Sequence, residues 1–145
     1  MAIAYRNWGK GAEGYRKFVL QKKLMAEHFP EFRCVYSKRQ LTCVGGVRPT
    51  PDCATYKVRI EYEPGKDPKV FVLKPEIVDS TKIHRYNDGS LCLYYPVETP
   101  WKHTDNLHEK IVPWVHEWIL FYEIFLIEGE WLGKSAPHPL PRRRR

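Results

Sequence analysis

The stretch His84-Arg85-Tyr86-Asn87-Asp88-Gly89-Ser90-Leu91-Cys92-Leu93-Tyr94-Tyr95-Pro96 places a histidine, a turn and a cysteine within nine residues. Asn87-Asp88-Gly89 is turn chemistry: glycine accepts positive φ, and the Asn and Asp side chains can bond the local backbone. Leu91, Leu93 and the tyrosines then alternate with Cys92 over a short extended run. A cysteine just past a tight turn, held by buried leucines on either side, is a sound arrangement for a fixed nucleophile at a rim. It is equally the arrangement of a buried cysteine acting as a small hydrophobe.

Upstream of that stretch the periodicity predicts one helix and four strands. Tyr15, Phe18, Val19, Leu24, Met25 and Phe29 recur at three- and four-residue steps over Ala12 to Phe29, with Arg16, Lys17, Lys22, Lys23 and Glu27 between them. Gly9, Gly11 and Gly14 argue against an earlier start, and Pro30 stops the helix. Strands are expected at Phe32 to Ser37, Leu41 to Val47, Tyr56 to Tyr62 and Lys69 to Leu73. The third shows the clearest alternation, with Tyr56, Val58, Ile60 and Tyr62 opposite Lys57, Arg59 and Glu61. Short turns at Lys38-Arg39-Gln40 and Pro64 to Pro68 make these an antiparallel meander, with one face solvated and the other covered by the helix.

Downstream, Val97 to His103 reads as a loop around Pro100-Trp101. Asp105 or Asn106 is a candidate helix cap, and Glu109 stands three residues after Asn106 as in a capping box. Pro113 is either a kink or a fresh helix start. Trp114, Trp118, Phe121 or Tyr122, and Phe125 share one face of the last helix, and Val115, Ile119 and Leu126 widen it, so that helix is expected to be buried. The fold class is therefore α+β, with one domain over residues 1–135 and an extended Pro/Arg-rich tail over 136–145.

A chain of 145 residues with 43% hydrophobic content can bury a real core, which excludes a disordered protein. Five tryptophans and nine tyrosines suffice to line a groove as well. The formal charge is +7, but Arg142 to Arg145 supply four of those positives, leaving +3 for the rest. The tail alone supports only nonspecific phosphate binding, and Glu61 and Glu63 interrupt the basic strands, so a nucleic-acid-binding domain is disfavoured. Met1 to Arg6 lacks a secretory apolar core, and Val112 to Ile127 is too short and too charged to span a membrane. The expectation is a soluble, cytoplasmic protein. Cys34, Cys43, Cys53 and Cys92 contain no C-x-x-C pair, so zinc has little support, although Cys43, Cys53 and His84 could be gathered by folding. Disulfides are not expected in a reducing compartment.

Helix, four-stranded meander, loop with Cys92, long C-terminal helix: this order resembles the ubiquitin-conjugating-enzyme fold. Gly89-Ser90-Leu91-Cys92-Leu93 is similar to that family's Gly-x-(Ile/Leu)-Cys-Leu run at every defined position. His84 stands where the family's histidine would, two residues closer to the cysteine, and His84-Arg85-Tyr86-Asn87 replaces the family's His-Pro-Asn element. Trp101 resembles the family's later tryptophan, and Asp105 its acidic residue near the acceptor lysine. The family's later helices are absent or altered. With Tyr86, Leu91 and the Trp114/Trp118 helix, the chain is more similar to bacterial ubiquitin-conjugating-like proteins of CBASS anti-phage operons, over roughly Ala12 to Trp131.

The resemblance implies a cysteine-dependent acyl transferase. Cys92 would carry the C-terminal carboxyl of a modifier-like partner, by analogy the operon's nucleotidyltransferase, as a thioester and pass it to an amine. Asn87 and the Asp88-Gly89 backbone N–H groups would face the oxyanion. His84 would orient the loop or act as base, and Asp105 would favour the neutral amine or serve as a cap. Tyr86, Gly89 and Trp101 would shape the groove for the tail, with core packing the alternative for Tyr86 and Trp101. An activating enzyme is left open as a further partner. No metal, organic cofactor or membrane is implied. A scaffold of the same fold that has lost catalysis is the rival reading, favoured by the altered His-Pro-Asn element.

Overall fold

The four strands form one antiparallel sheet in the order β1-β2-β3-β4, with β1 at Arg33–Ser37, β2 at Gln40–Val47, β3 at Tyr56–Tyr62 and β4 at Lys69–Lys74. The computed structural model describes the backbone of residues 2–133 and side chains from residue 14 onward, so the expected tail over 136–145 lies outside the described residues. The strand bounds agree with the alternation to within a residue or two. β3 is the clearest case because Tyr56, Val58, Ile60 and Tyr62 are all buried while Lys57 points outward. Ser37 pairs with Gln40, so the β1–β2 turn is Lys38-Arg39, both at positive φ (52° and 62°). That geometry matches the twist of a two-residue hairpin but is strained for side-chain-bearing residues.

Two helices cover one face of the sheet. Helix α1 runs Ala2–His28, ten residues earlier than the glycines suggested. A helical glycine costs about 1 kcal/mol relative to alanine but, unlike proline, blocks no hydrogen bond. The buried stripe of α1 also differs from expectation. Phe18, Gln21 and Met25 face inward, whereas Tyr15 and Val19 are about half exposed. Phe18 packs on Tyr36 and Tyr62 of the sheet. Helix α2 spans Val112–Glu128, ends on Gly129 at φ 76°, and buries Val115, Trp118, Ile119 and Tyr122. Its opposite side leaves Leu120, Leu126 and Ile127 exposed, contrary to the expectation of complete burial. In a two-layer fold a helix has only one face against the sheet.

A π-helical turn, Leu107–Ile111, precedes α2, and Pro113 sits in the first turn of α2 as a helix start rather than a kink. The expected capping box does not form. Asn106 makes no side-chain cap bond; its Nδ2 donates to Glu109 Oε1 (2.6 Å) and its Oδ1 accepts from Gln21 Nε2 (2.8 Å). The Leu107 N–H donates instead to Gln21 Oε1 (2.9 Å), so a buried glutamine on α1 caps the turn from outside. Gln21→Leu keeps the volume but strands that buried N–H. We expect it to cost about 1–3 kcal/mol in urea unfolding, and an unchanged midpoint would show that the cap contributes nothing.

The cysteine expectation also needs correction. Cys34 and Cys43 stand opposite each other across β1 and β2, Cα–Cα 4.0 Å, and are joined by a disulfide; Cys53 and Cys92 are free. No described helix is long and apolar enough to cross a membrane.

Candidate active site

The segment after β4 folds into a small hairpin. Arg85 bridges Leu91, flanked by the Tyr86 N–H bond to Ser90 O (2.8 Å) and the Cys92 N–H bond to His84 O (3.0 Å). The turn closes through the Gly89 N–H to Tyr86 O (2.9 Å), with Gly89 at φ 88°, a conformation that any other residue would strain to adopt. That bond removes the Gly89 N–H from the expected set of oxyanion donors. Asp88 locks the turn: Oδ1 accepts from the Ser90 N–H and hydroxyl, and Oδ2 takes Lys69 Nζ of β4 at 2.8 Å. The Leu91 N–H donates to Val70 O (2.8 Å), fixing the hairpin against the outer side of β4.

Helix α2 holds the hairpin from behind. Trp118 Nε1 donates to His84 O (2.9 Å), the same carbonyl that receives the Cys92 N–H. The His84 ring stacks on Trp131 (4.9 Å, 14°) and Trp118 stacks on Tyr122 (5.4 Å, 14°). Trp118 reads as a core residue in the sequence, and Trp131 marks only the end of the family resemblance. The one signal for an anchor was that a buried indole N–H must find an acceptor.

Cys92 is 9% exposed. Burial pushes its thiol up to about 11, with the Asp88 charge adding to the rise and a hydrogen bond from the Tyr86 hydroxyl opposing it. Tyr86 is itself pushed up to about 12, first by burial and then by the Cys92 sulfur. A cleft of about 660 Å³ opens beside the hairpin, bounded by the β3–β4 turn, the hairpin residues Tyr86 to Asp88, Ser90 and Leu91, and Leu93, Tyr94 and Pro96. Its walls are apolar at Pro68, Leu91, Leu93 and Pro96. Its rim carries two polar ties, Lys69–Asp88 and the Tyr94 hydroxyl on Asp67 Oδ2 (2.8 Å).

The structure thus brings Cys92, His84, Tyr86, Asn87 and Gly89 onto one hairpin. Asn87 is exposed, lines the cleft, and makes no hydrogen bond among the described residues. Trp101 and Asp105 lie elsewhere, on the loop before the π-helical turn. Trp101 Nε1 donates to the Tyr62 hydroxyl (3.2 Å) and its ring meets Tyr62 edge-on, so its contacts are those of core packing. Asp105 uses one oxygen on Lys110 Nζ (2.9 Å) and the other on the Lys102 N–H (2.8 Å). Partial burial opposes ionisation of Asp105, but these partners outweigh it and hold the carboxyl low. It clamps its own loop rather than capping a helix. Pro68, Leu93, Tyr94 and Pro96 form cleft walls that sequence reasoning did not single out. Among the described residues no three His, Cys, Asp or Glu side chains gather as a metal ion requires, and Cys43 faces Cys34 rather than Cys53 and His84.

Residues 21–139 match the family model described as the type II CBASS E2 protein. The chain belongs to the type II CBASS E2 protein family. Membership gives this CBASS E2 protein a role in anti-phage defence alongside the other proteins of a CBASS operon, and suggests an E2-like conjugating enzyme. Among curated proteins, none matches the chain.

The Asp88 lock gives the CBASS E2 hairpin an acid limit. The Lys69 side-chain bond, followed by those of Ser90, lowers this carboxyl from 3.8 to about 2. A folded value below the unfolded one stabilises the hairpin above about pH 4, and that gain is lost as pH falls through 2. Asp88 is 40% exposed, so after solvent screening we expect less than about 1 kcal/mol. Asp88→Asn should flatten the stability curve between pH 5 and 2; a curve parallel to wild type would remove Asp88 from the account.

Proposed function

We propose that this CBASS E2 protein adopts a ubiquitin-conjugating-like fold as one domain over residues 1–135, and that Cys92 is its acyl carrier. In this reading the C-terminal carboxyl of a modifier-like partner, the operon's nucleotidyltransferase, is first activated as an acyl-adenylate or thioester by an activating enzyme. The Cys92 thiolate attacks that acyl carbon, and AMP or the activating enzyme's thiolate leaves as the Cys92 thioester forms. A target amine then attacks the carbonyl, and the Cys92 thiolate leaves. The observation that carries the reading is the position of Cys92: just past a locked turn, on a hairpin tied to β4 and α2, beside an apolar cleft of about 660 Å³.

The remaining residues take roles that fit their contacts. Asn87, with its side chain uncommitted, supplies the oxyanion donor; the Gly89 N–H is spent on the turn. His84 orients the site through its carbonyl, which receives both Cys92 and Trp118. Tyr86, with Gly89 at the turn, shapes the cleft together with Pro68, Leu93 and Tyr94. Asp105 acts on an incoming amine only by releasing Lys110, so its first role is to hold the loop. Co-expression with the nucleotidyltransferase tests the reading. Intact mass should show an adduct on the E2 chain that hydroxylamine removes and a phosphine reductant does not, and peptide mapping should place it on Cys92. The activating enzyme is co-expressed with the pair.

The burial of the sulfur favours one rival, a scaffold of the same fold without catalysis. A scaffold binds the nucleotidyltransferase equally well with or without the Cys92 thiol and never yields the adduct.

A further inference from the structure

The hairpin register puts Tyr86 and Cys92 on the same face. Arg85 and Leu91 are the bridged pair, so His84 lies across from Cys92 and Tyr86 lies one step diagonal to it. Tyr86 lines the cleft, whereas Cys92 does not. Cys92 is 9% exposed and Tyr86 41%. Tyr86 therefore stands between the sulfur and the space from which a substrate would come. We propose that Tyr86 is a positioning residue for Cys92: its hydroxyl donates a hydrogen bond to Sγ, and its ring closes the sulfur off from the cleft until a substrate displaces it.

Burial raises both the thiol and the phenol, so near neutral pH the phenol keeps a proton to donate to the sulfur. The other titratable groups around the pair are His84 across the hairpin, Tyr94 beside the phenol in the cleft, Asp88 at the turn with its partner Lys69, and Asp67 across the cleft. Asp88 raises the thiol and Asp67 raises the phenol, whereas the Tyr86 bond favours the thiolate. Helix α2 contributes Trp118 behind the hairpin, which does not titrate. A donor on a buried sulfur couples ionisation to access: the ring that blocks the thiol also stabilises its reactive form.

The relevance of this device to catalysis rests on Cys92 being the acyl carrier, but its test does not. The rate of iodoacetamide alkylation at Cys92, read by peptide mass in the intact chain as a function of pH, gives the thiol midpoint without any protein partner. Tyr86→Phe keeps the ring and removes the donor. We expect the midpoint to rise by about one unit, the effect of losing one hydrogen bond to a charged sulfur, with the rate at full ionisation unchanged. A midpoint that stays or falls overturns the proposal. Should Tyr86→Phe not give folded protein, the wild-type chain labelled with ¹³C at tyrosine Cζ carries the test. One tyrosine resonance should step at the midpoint measured for Cys92, and the absence of such a step overturns the proposal equally. A shifted midpoint without any nucleotidyltransferase adduct would sink the thioester reading alone. An adduct with an unshifted midpoint would sink the role of Tyr86 alone.

Discussion

Cys92→Ala should abolish the covalent adduct with the nucleotidyltransferase completely, while leaving the protein folded. The two halves of this expectation have separate causes. Alanine has no atom that can attack a carbonyl, so no residual acyl transfer survives through this position. Stability changes little because the substitution deletes one sulfur from a segment held by its own backbone bonds and by Trp118; about 1 kcal/mol is typical of such a change. Cys92→Ser separates nucleophilicity from leaving-group quality. Its hydroxyl is harder to ionise than even the raised thiol, so the adduct should form in much lower yield. Once formed it is an oxygen ester, which resists the mild thiol or hydroxylamine treatment that cleaves a thioester. Intact mass of the co-expressed pair, with and without hydroxylamine, reads all three proteins. An adduct that persists in Cys92→Ala would move the chemistry to another residue. Equal partner binding by wild type and Cys92→Ala, with no adduct from either, would leave the scaffold reading standing.

Trp118→Ala should be the most destabilising single change near the site. The side chain is 3% exposed, stacks on Tyr122, touches Trp131, and ties α2 to the carbonyl of His84. Removing a buried indole costs about 3–5 kcal/mol in lost burial and cavity, against a total stability of about 5–15 kcal/mol for a domain. The variant is therefore expected near its unfolding threshold at ambient temperature. Trp118→Phe isolates the anchor. It keeps an aromatic ring for Tyr122 and loses only the indole N–H, for about 1 kcal/mol. The His84 carbonyl still accepts from Cys92, so no acceptor is stranded. Amide exchange at Cys92 should nonetheless accelerate, because the hairpin has lost its tie to the helix. Exchange at wild-type rate in Trp118→Phe would mean that the β4 bond through Leu91 holds the hairpin alone.

Much of this fold was legible where a periodic pattern coincided with one-sided burial. Tyr56 to Tyr62 alternates because β3 is an inner strand with one solvated face, and its bounds agree at both ends. The meander followed from short turns, and the observed strand order is sequential. Legibility failed where a long-range contact overrode local preference. Asn106 and Glu109 carry a capping signature, yet Gln21, 86 residues away from Leu107, provides the cap. Polar Gln21 belongs to the buried stripe of α1 and apolar Tyr15 does not, which no hydrophobicity pattern conveys. Cys34 and Cys43 read as free thiols because compartment was weighed and register was not; they meet because Arg33 pairs with Val44 and the next pair inward is the two cysteines.

At the candidate site, the turn and Cys92 were visible in Asn87-Asp88-Gly89 and the flanking leucines. Trp101 and Asp105 were placed by analogy, and their partners turn out to be Tyr62, Lys102 and Lys110. The cleft walls drawn from the β3–β4 turn were invisible because Pro68 and Lys69 reach the site through the sheet, not through sequence proximity.

The bond from the Leu91 N–H to Val70 O has one more consequence. β4 ends the sheet, and an end strand with free amides and carbonyls is a template on which other chains can pair and aggregate. The hairpin occupies part of that border, and Lys69 and Lys74 flank the residues it covers. At the far border, β1 is only five residues long and opens with Arg33. The segment that bears Cys92 therefore also covers part of the border through which this sheet would otherwise pair with another chain.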